Sequence, residues 1–298
     1  MTARTGNWLR VIGVMMSERI VGFCRFSFWG RSDWGVYAGT KPGTAAEEKA
    51  LQRSLATLYD EARLAFRFRS FERLTLASLA AQKNRDFLFV VLSSKAMPAV
   101  WRQRLRALCA GQPQMRLVFS EERDVGLALA PILDELTEGG RVRLVQFRLD
   151  DDDCIAADYI DRLAQAAHAM RDYRAFAFSL PRALMMTRYA DDVPARYEYM
   201  RPFHAAGVAL RAPMAGRSIF AFGHFALARR FPSLADPGPH GSLQLKFEGH
   251  DSRRVSPGTD NGVTPISSAE MDEVLARDFP FLKQSDLLDL SGAAASGG

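Results

Sequence analysis

The sequence predicts an α/β protein: a mixed, mostly parallel sheet with helices on both faces. Three observations carry that expectation. From about residue 20 to 170, short β-rich runs alternate with helix-period runs over short connections, the mark of βαβ units. Phe87-Leu88-Phe89-Val90-Val91-Leu92 is a continuous apolar run between polar residues, as a strand buried on both faces reads. The run from Val142 to Leu149 reads as a strand and stops at Asp150-Asp151-Asp152-Asp153. Directly afterwards Ile160, Leu163, Ala164 and Ala167 recur at helical spacing, so the acidic run occupies a strand-to-helix loop. Right-handed crossovers between such strands place helices on both faces.

In chain order, residues 1–19 form an N-terminal extension, in which the apolar Val11 to Met16 ends at Glu18 and Arg19. The first strand is expected over Ile20 to Phe28, followed by a Gly/Ser/Asp-rich loop from Gly30 to Thr44. Leu51, Leu55, Leu58 and Tyr59 mark a helix, Arg63 to Phe71 has an ambiguous period, and Arg73 to Gln82 is helical again. After Met97-Pro98 a helix runs through Trp101, Leu105 and Leu108 and stops at Gly111. Met115 to Phe119 is a short strand, and Val125 to Leu136 a helix closed by Gly139-Gly140. Beyond Met170, Arg174 to Leu180, Leu184 to Arg188, Glu198 to Arg211 and Ser218 to Phe222 are β-like pieces punctuated by prolines. Gly238 to Pro265 is rich in turn residues and reads as one long irregular stretch. A helix from Ser268 to Ala276 follows, and residues 286–298 form a disordered tail, since the small residues from Ser291 onward have nothing to bury. Residues 20–170 and 171–285 are thus two halves of one domain.

A chain of 298 residues, 48% hydrophobic and 24% charged, can bury a full core. The formal net charge is +5, but acids and bases are mixed, which gives no argument for nucleic acid. Cys24, Cys109 and Cys154 form no CxxC pair, which excludes a disulfide framework and a recognisable zinc site. No apolar run reaches the ~20 residues of a membrane span. The chain therefore reads as cytoplasmic, with at most a peripheral membrane contact. Phosphate-loop, GxSxG and HExxH motifs are absent, which weakens ATPase, hydrolase and zincin readings.

Four adjacent carboxylates at a strand end repel one another and need a cation, hydrogen-bond donors or open water. In open α/β sheets ligands bind outside the carboxyl ends of the strands, where hard oxygen ligands suit Mg²⁺ or Mn²⁺ carrying a phosphate. The plainer alternative is a solvated acidic helix N-terminus. A nucleotide-diphosphate site needs one carboxylate for the metal and another, about two residues away, for a ribose hydroxyl or the metal's water. Asp150/Asp152 and Asp151/Asp153 both meet that spacing; Asp150 directly follows the strand, and Asp153 can instead cap the next helix. The spacing does not settle the register, and Asp150/Asp152 is preferred; Asp150 and Asp151 are assigned to the nucleotide sugar, and Asp152 and Asp153 to the metal. His224, after a β-like run, is the candidate third ligand, against the plainer reading of a satisfied core histidine. Arg25, Phe26 and Ser27 after the first strand, with Ser93 and Ser94 after the Phe87–Leu92 run, should face the same crevice. They suit a base, a ribose and a pyrophosphate, although each is also an ordinary strand exit. Asp251, beside His250, is a candidate acceptor-side base in the irregular stretch.

Several segments together resemble a bacterial family of rhamnosyltransferases related to glycosyltransferases of the GT-A fold. They are Gly22-Phe23-Cys24-Arg25-Phe26-Ser27, Leu58-Tyr59-Asp60 to Phe71, Thr75-Leu76-Ala77-Ser78-Leu79 and Asp86-Phe87. The most specific is Gln146-Phe147-Arg148-Leu149 leading into the four aspartates. The resemblance covers residues 20–165 well and the remainder weakly. It implies a GT-A-like, nucleotide-diphospho-sugar transferase fold in which residues 20–170 are the nucleotide-sugar half and 171–285 the acceptor side. It also implies a donor held over Mn²⁺ or Mg²⁺ by an Asp-x-Asp element and a glycan or glycolipid acceptor. Rhamnose is a family label. Thr259-Asp260-Asn261-Gly262 stands where relatives carry an Asn-Asp-Ser-like element, which makes Asp260 a second candidate base. The rival readings are a non-catalytic nucleotide-sugar or divalent-ion binding module and a metal-dependent phosphohydrolase.

Overall fold

A computed structural model describes residues 17–30, 41, 43–189, 192–247, 254–258 and 261–295. Strand β1 (Ser17–Arg25) begins three residues before the expected start and stops earlier at its far end. Helix α1 (Ala45–Leu58) is capped by Thr44, whose hydroxyl accepts from the Glu47 N–H. Helix α2 (Glu61–Ser70) continues through a π-helical segment, Phe71–Leu76, into α3 (Ala77–Ala80). The ambiguous Arg/Phe run at 63–71 is therefore helical, its apolar members Leu64, Phe68 and Phe71 being fully buried. Then follow β2 (Leu88–Ser94), α4 (Ala99–Ala110), β3 (Met115–Ser120), α5 (Val125–Thr137) and β4 (Val142–Arg148).

Past the acidic run the chain makes β5 (Asp153–Ile155), α6 (Tyr159–Ala169), β6 (Phe176–Ser179), β7 (Arg182–Arg188), β8 (Ala195–Met200) and β9 (Ala209–Arg211). It continues through α7 (Leu227–Arg230), β10 (Ser233–Ala235), β11 (His240–Phe247), β12 (Val263–Pro265), α8 (Ser268–Asp278) and α9 (Gln284–Ala295). The β-like stretch 198–211 splits into strands of different sheets. Ser218 to Phe222 is not a strand but a 3-10 turn over Ile219–Ala221. There the Gln146 amide accepts from the Ile219 N–H at 2.8 Å and donates to the Arg217 carbonyl at 2.8 Å, taking the bonds a strand would need. The stretch 238–265, expected to be irregular, contains the long strand β11, in which Leu243, Leu245 and Phe247 alternate into the core. The expected tail is helical up to Ala295, because Leu287, Leu290 and Ser291 are buried against the second sheet's core.

Seven strands form the main sheet in the order β10-β6-β9-β4-β1-β2-β3. The strands β1 to β4 are parallel, and β9 runs antiparallel to both β4 and β6. One face is covered by α2–α3, α4 and α6, through Leu64, Phe68, Leu105, Ile160 and Leu163. The other is covered by α5 and the 217–222 turn, through Leu129, Leu133 and Ile219. A second sheet of five strands, β12-β8-β7-β11-β5, packs on α8 and α9. The halves divided at residue 170 are interwoven, because β6, β9 and β10 complete the first sheet while β5 joins the second. The β1–β4 seam is tight: a Cβ on Gly22 would lie 2.3 Å from both the Phe147 and Phe89 rings, so only glycine fits there. None of the described helices is long and apolar enough to cross a membrane.

Candidate functional site

From β1 the chain winds outward to β2 and β3, whereas β4 lies on the other side of β1. Strand order therefore switches between β1 and β4, and the crevice beyond their carboxyl ends is where such a sheet takes a ligand. Leu149 still bonds to β1, donating to the Phe23 carbonyl at 3.1 Å, and Asp150 to Asp152 then turn over that crevice into β5.

The acidic turn rests on α2–α3. Thr75 donates through its hydroxyl to the carbonyls of Asp150 at 3.2 Å and Asp153 at 2.9 Å, and Ser70 donates to that of Asp151 at 3.2 Å. Ser70 and Thr75 are five residues apart, a step that the wider π turn brings to one face. Gln82 donates to the Ala156 carbonyl at 2.8 Å and accepts from the Ile160 N–H at 3.1 Å, fixing the way into α6. Arg67 bonds the Asp151 carboxylate and lies 3.4 Å from that of Asp152. These groups under the loop were not singled out from the sequence. Arg67 sits in the Arg/Phe run, and only knowing its helical phase would have aimed it at the loop.

The four carboxylates have separate environments. Asp150 has a third of its side chain exposed; burial would raise its pKa, but Arg148 and Arg25 outweigh that and hold it below the ordinary carboxylate value. Burial pushes Asp151 up to about 6 despite Arg67, and leaves its Oδ2 with no hydrogen-bond partner among the described residues. Asp153 lies on β5 opposite Gln244; burial and then Asp152 raise its pKa well above the ordinary value, and the charge of Lys246 offsets only part. His224 is elsewhere, among Arg148, Asp150, His204 and Arg201; burial first, then Arg148, push it down to about 4.

The expected metal set of Asp152, Asp153 and His224 is therefore not assembled. Asp152 faces Arg67, Asp153 faces the second sheet, and His224 stands near Asp150. Among the described residues no group of three or more His, Cys, Asp or Glu side chains converges as a metal site. The donor set does not fit Mn²⁺ or Mg²⁺ in the way the spacing implied.

The other expected residues divide. Arg25 ends β1 at the crevice, its guanidinium 4.6 Å from the Phe220 ring centroid; Arg148 ends β4 and lies 5.2 Å from the same ring and 3.4 Å from Asp150. Arg148 and Phe220 had no role assigned from the sequence. Phe26 is a core residue, fully buried edge-on to Phe68 and Phe71, so it offers no stacking face. Ser27 has a left-handed backbone, φ 41°, and its Oγ and that of Ser93 are buried without a hydrogen-bond partner among the described residues. Ser94 is structural, accepting from the Trp29 N–H at 2.8 Å. Asp251 and Asp260 lie outside the described residues. A cleft of about 1270 Å³ opens at the opposite end of the strands, beside Ser17, Glu18 and Arg143, and includes none of the acidic turn.

A family profile described as "Putative rhamnosyl transferase" matches residues 19–259, which takes in the crevice edge and every strand but β12. The chain belongs to that family. Membership makes it a glycosyltransferase, built on the mixed α/β arrangement described above. Among solved structures it is similar to a "putative nucleotide-diphospho-sugar transferase" of Desulfovibrio desulfuricans G20, with 10% identity and a TM-score of 0.37 over 95% of this chain and 99% of that one. It is also similar to S. aureus TarS 1–349, with 12% identity and a TM-score of 0.37 over 77% of this chain and 60% of that one. The TarS 1–349 structure described as a complex with UDP-GlcNAc gives 11% identity and a TM-score of 0.36, over 95% and 72% of the two chains. No curated protein matches the chain.

Proposed function

We propose that this glycosyltransferase moves a sugar, rhamnose by its family, from a nucleotide-diphosphate donor to a hydroxyl of a glycan or glycolipid. The observation that carries the reading is the placement of Asp150. It is an ionised, partly exposed carboxylate at the β1/β4 switch point, on a turn whose carbonyls are held by Ser70 and Thr75. Its oxygens are suited to accept from a ribose or sugar hydroxyl, as charge-assisted hydrogen bonds that set the donor's orientation. Arg25 and Arg148 beside it supply positive charge where negative charge develops on the leaving nucleoside diphosphate. The Ser27 and Ser93 hydroxyls, buried and unpartnered, are further donors at the ends of β1 and β2. Asp251 and Asp260 remain the proposed acceptor bases for an inverting reaction.

The test is turnover. Purified protein is incubated with a panel of nucleotide-diphosphate sugars and candidate acceptors, and release of free nucleoside diphosphate is followed. One donor should be turned over, and Asp150→Asn should slow it about 10- to 100-fold. Uptake of a donor without release of nucleoside diphosphate would instead make the chain a binding module.

A further inference from the structure

We propose that Arg25, Arg148 and the Phe220 ring form the site for the donor's diphosphate, which is bound as a dianion by guanidinium groups without a divalent ion between it and the protein. The proposal rests on the transferase reading above and goes further by naming what neutralises the phosphates.

The two arginines come from neighbouring parallel strands at the switch point. Phe23 pairs in register with Arg148, and Arg25 lies two residues beyond Phe23, so both arginines project from the same face of the sheet. Both guanidinium groups lie over one aromatic ring, at 4.6 and 5.2 Å from its centroid. A ring face holds a guanidinium by cation–π attraction while leaving its in-plane N–H groups directed outward, which suits bidentate bonding to phosphate. Phe220 is itself fixed: the Ser218 hydroxyl accepts from its N–H at 3.2 Å, and the Gln146 amide clamps the residues on either side of Ser218. The Nε of Arg148 is buried with no hydrogen-bond partner among the described residues.

Charge balance favours the same assignment. Asp151 and Asp152 share Arg67, and Asp153 lies on β5 within the field of Lys246, so those carboxylates are partly offset by cations of the protein. Asp150 is the carboxylate left beside Arg25 and Arg148, two guanidinium groups to one carboxylate. The mouth of the crevice carries an excess of positive charge, which calls for an anion rather than another cation.

The experiment is calorimetric titration with the nucleotide-sugar panel and, separately, with inorganic pyrophosphate, each in EDTA and in Mn²⁺. The variants are Arg148→Met, Arg148→Lys and Arg25→Met, each checked for folding by circular dichroism. A donor should bind in EDTA within about threefold of its affinity in Mn²⁺. Each Met variant should lose about 10- to 100-fold, and Arg148→Lys should recover only part, since a point charge lacks the planar fork. Donor binding that vanishes in EDTA and is unchanged in the Met variants overturns the proposal while leaving the transferase reading intact. Pyrophosphate binding in EDTA that is lost in Arg148→Met, with no nucleotide sugar bound, would keep the anion site and remove the donor reading. Binding of neither removes both.

Discussion

Arg67 and Asp151, 84 residues apart, form an ion pair that fastens α2 to the turn leaving β4. The pair is buried, the two side chains being 14% and 3% exposed, so neither charge is well hydrated. The proximity of Asp150 and Asp152 adds to the strain on the Asp151 carboxylate, and burial lifts its pKa to about 6 even with Arg67 in contact.

That raised value predicts a pH dependence of stability. A carboxyl that ionises near 6 when folded and near 4 when unfolded keeps its proton only in the folded state between those values. The unfolded state binds fewer protons in this window, so this carboxyl makes stability fall as pH rises from about 4 to about 6 and adds no further slope above that. Asp151→Asn should flatten that slope by up to one proton, about 1.4 kcal/mol per pH unit. Thermal melts across pH 4–7 provide the check; an unchanged slope would mean that Asp151 titrates normally. Asp153, also raised by burial, leaves part of the fall with rising pH in the variant.

Arg211 carries a second buried charge with a structural task. It is fully buried on β9, its Nη2 donating to Glu18 at 2.7 Å while its Nε lies 2.6 Å from the other oxygen of that carboxylate, and it donates to the carbonyls of Ala167, Met170 and Tyr173. It joins β1 to the C-terminal end of α6, where a cation also complements the helix dipole. Arg211→Met should cost about 3–5 kcal/mol in urea unfolding, because the carbonyls and Glu18 lose their donor. Glu18→Gln should cost less, since the carbonyl bonds survive.

Gly22 makes a prediction of opposite kind, from too much atom rather than too little. Gly22→Ala forces a methyl against the Phe89 and Phe147 rings across the β1–β2 and β1–β4 seams. Overpacking of this sort costs about 1–3 kcal/mol or more. Adding Phe89→Leu should recover part of the loss; if the double variant is no better than additive, the rings are not the obstacle.

How much of this was legible differs by element. The Phe87–Leu92 strand and the Val142–Leu149 strand with its acidic exit were readable, because continuous apolar runs and charge runs are local features. Strand β11 alternates Leu243, Leu245 and Phe247 against Ser242, Gln244 and Lys246, but its Gly- and Pro-rich flanks hid that period. Helix α9 was hidden because Leu287 and Leu290 stand just before a run of small residues. At the site, the position of Asp150 directly after Leu149 put it at the end of the strand, where it stands. Which way each of the following aspartates turns was not legible, since adjacent aspartates in a turn point different ways and their spacing does not say what faces each. Arg67, Ser70 and Thr75 reach the loop from far upstream through a π turn, a change of helical period that residue patterning does not reveal.

Thr75 tests whether that scaffold matters for binding as well as for folding. Thr75→Val keeps the shape and the β-branch and removes only the hydroxyl that donates to the carbonyls of Asp150 and Asp153. Because Thr75 is fully buried, those carbonyls lose a donor that water cannot readily replace, at about 1–2 kcal/mol of stability. The same turn carries Asp150, so loosening it should also weaken donor binding about three- to tenfold, measured by calorimetry at a temperature where the variant is fully folded. Ser78→Ala is the control: Ser78 is equally buried on the same helix, but its hydroxyl bonds to the Thr75 carbonyl and not to the loop. Loss of stability in both variants with weakened binding in Thr75→Val alone would locate the effect in the loop. Equal weakening in both would assign it to the helix as a whole.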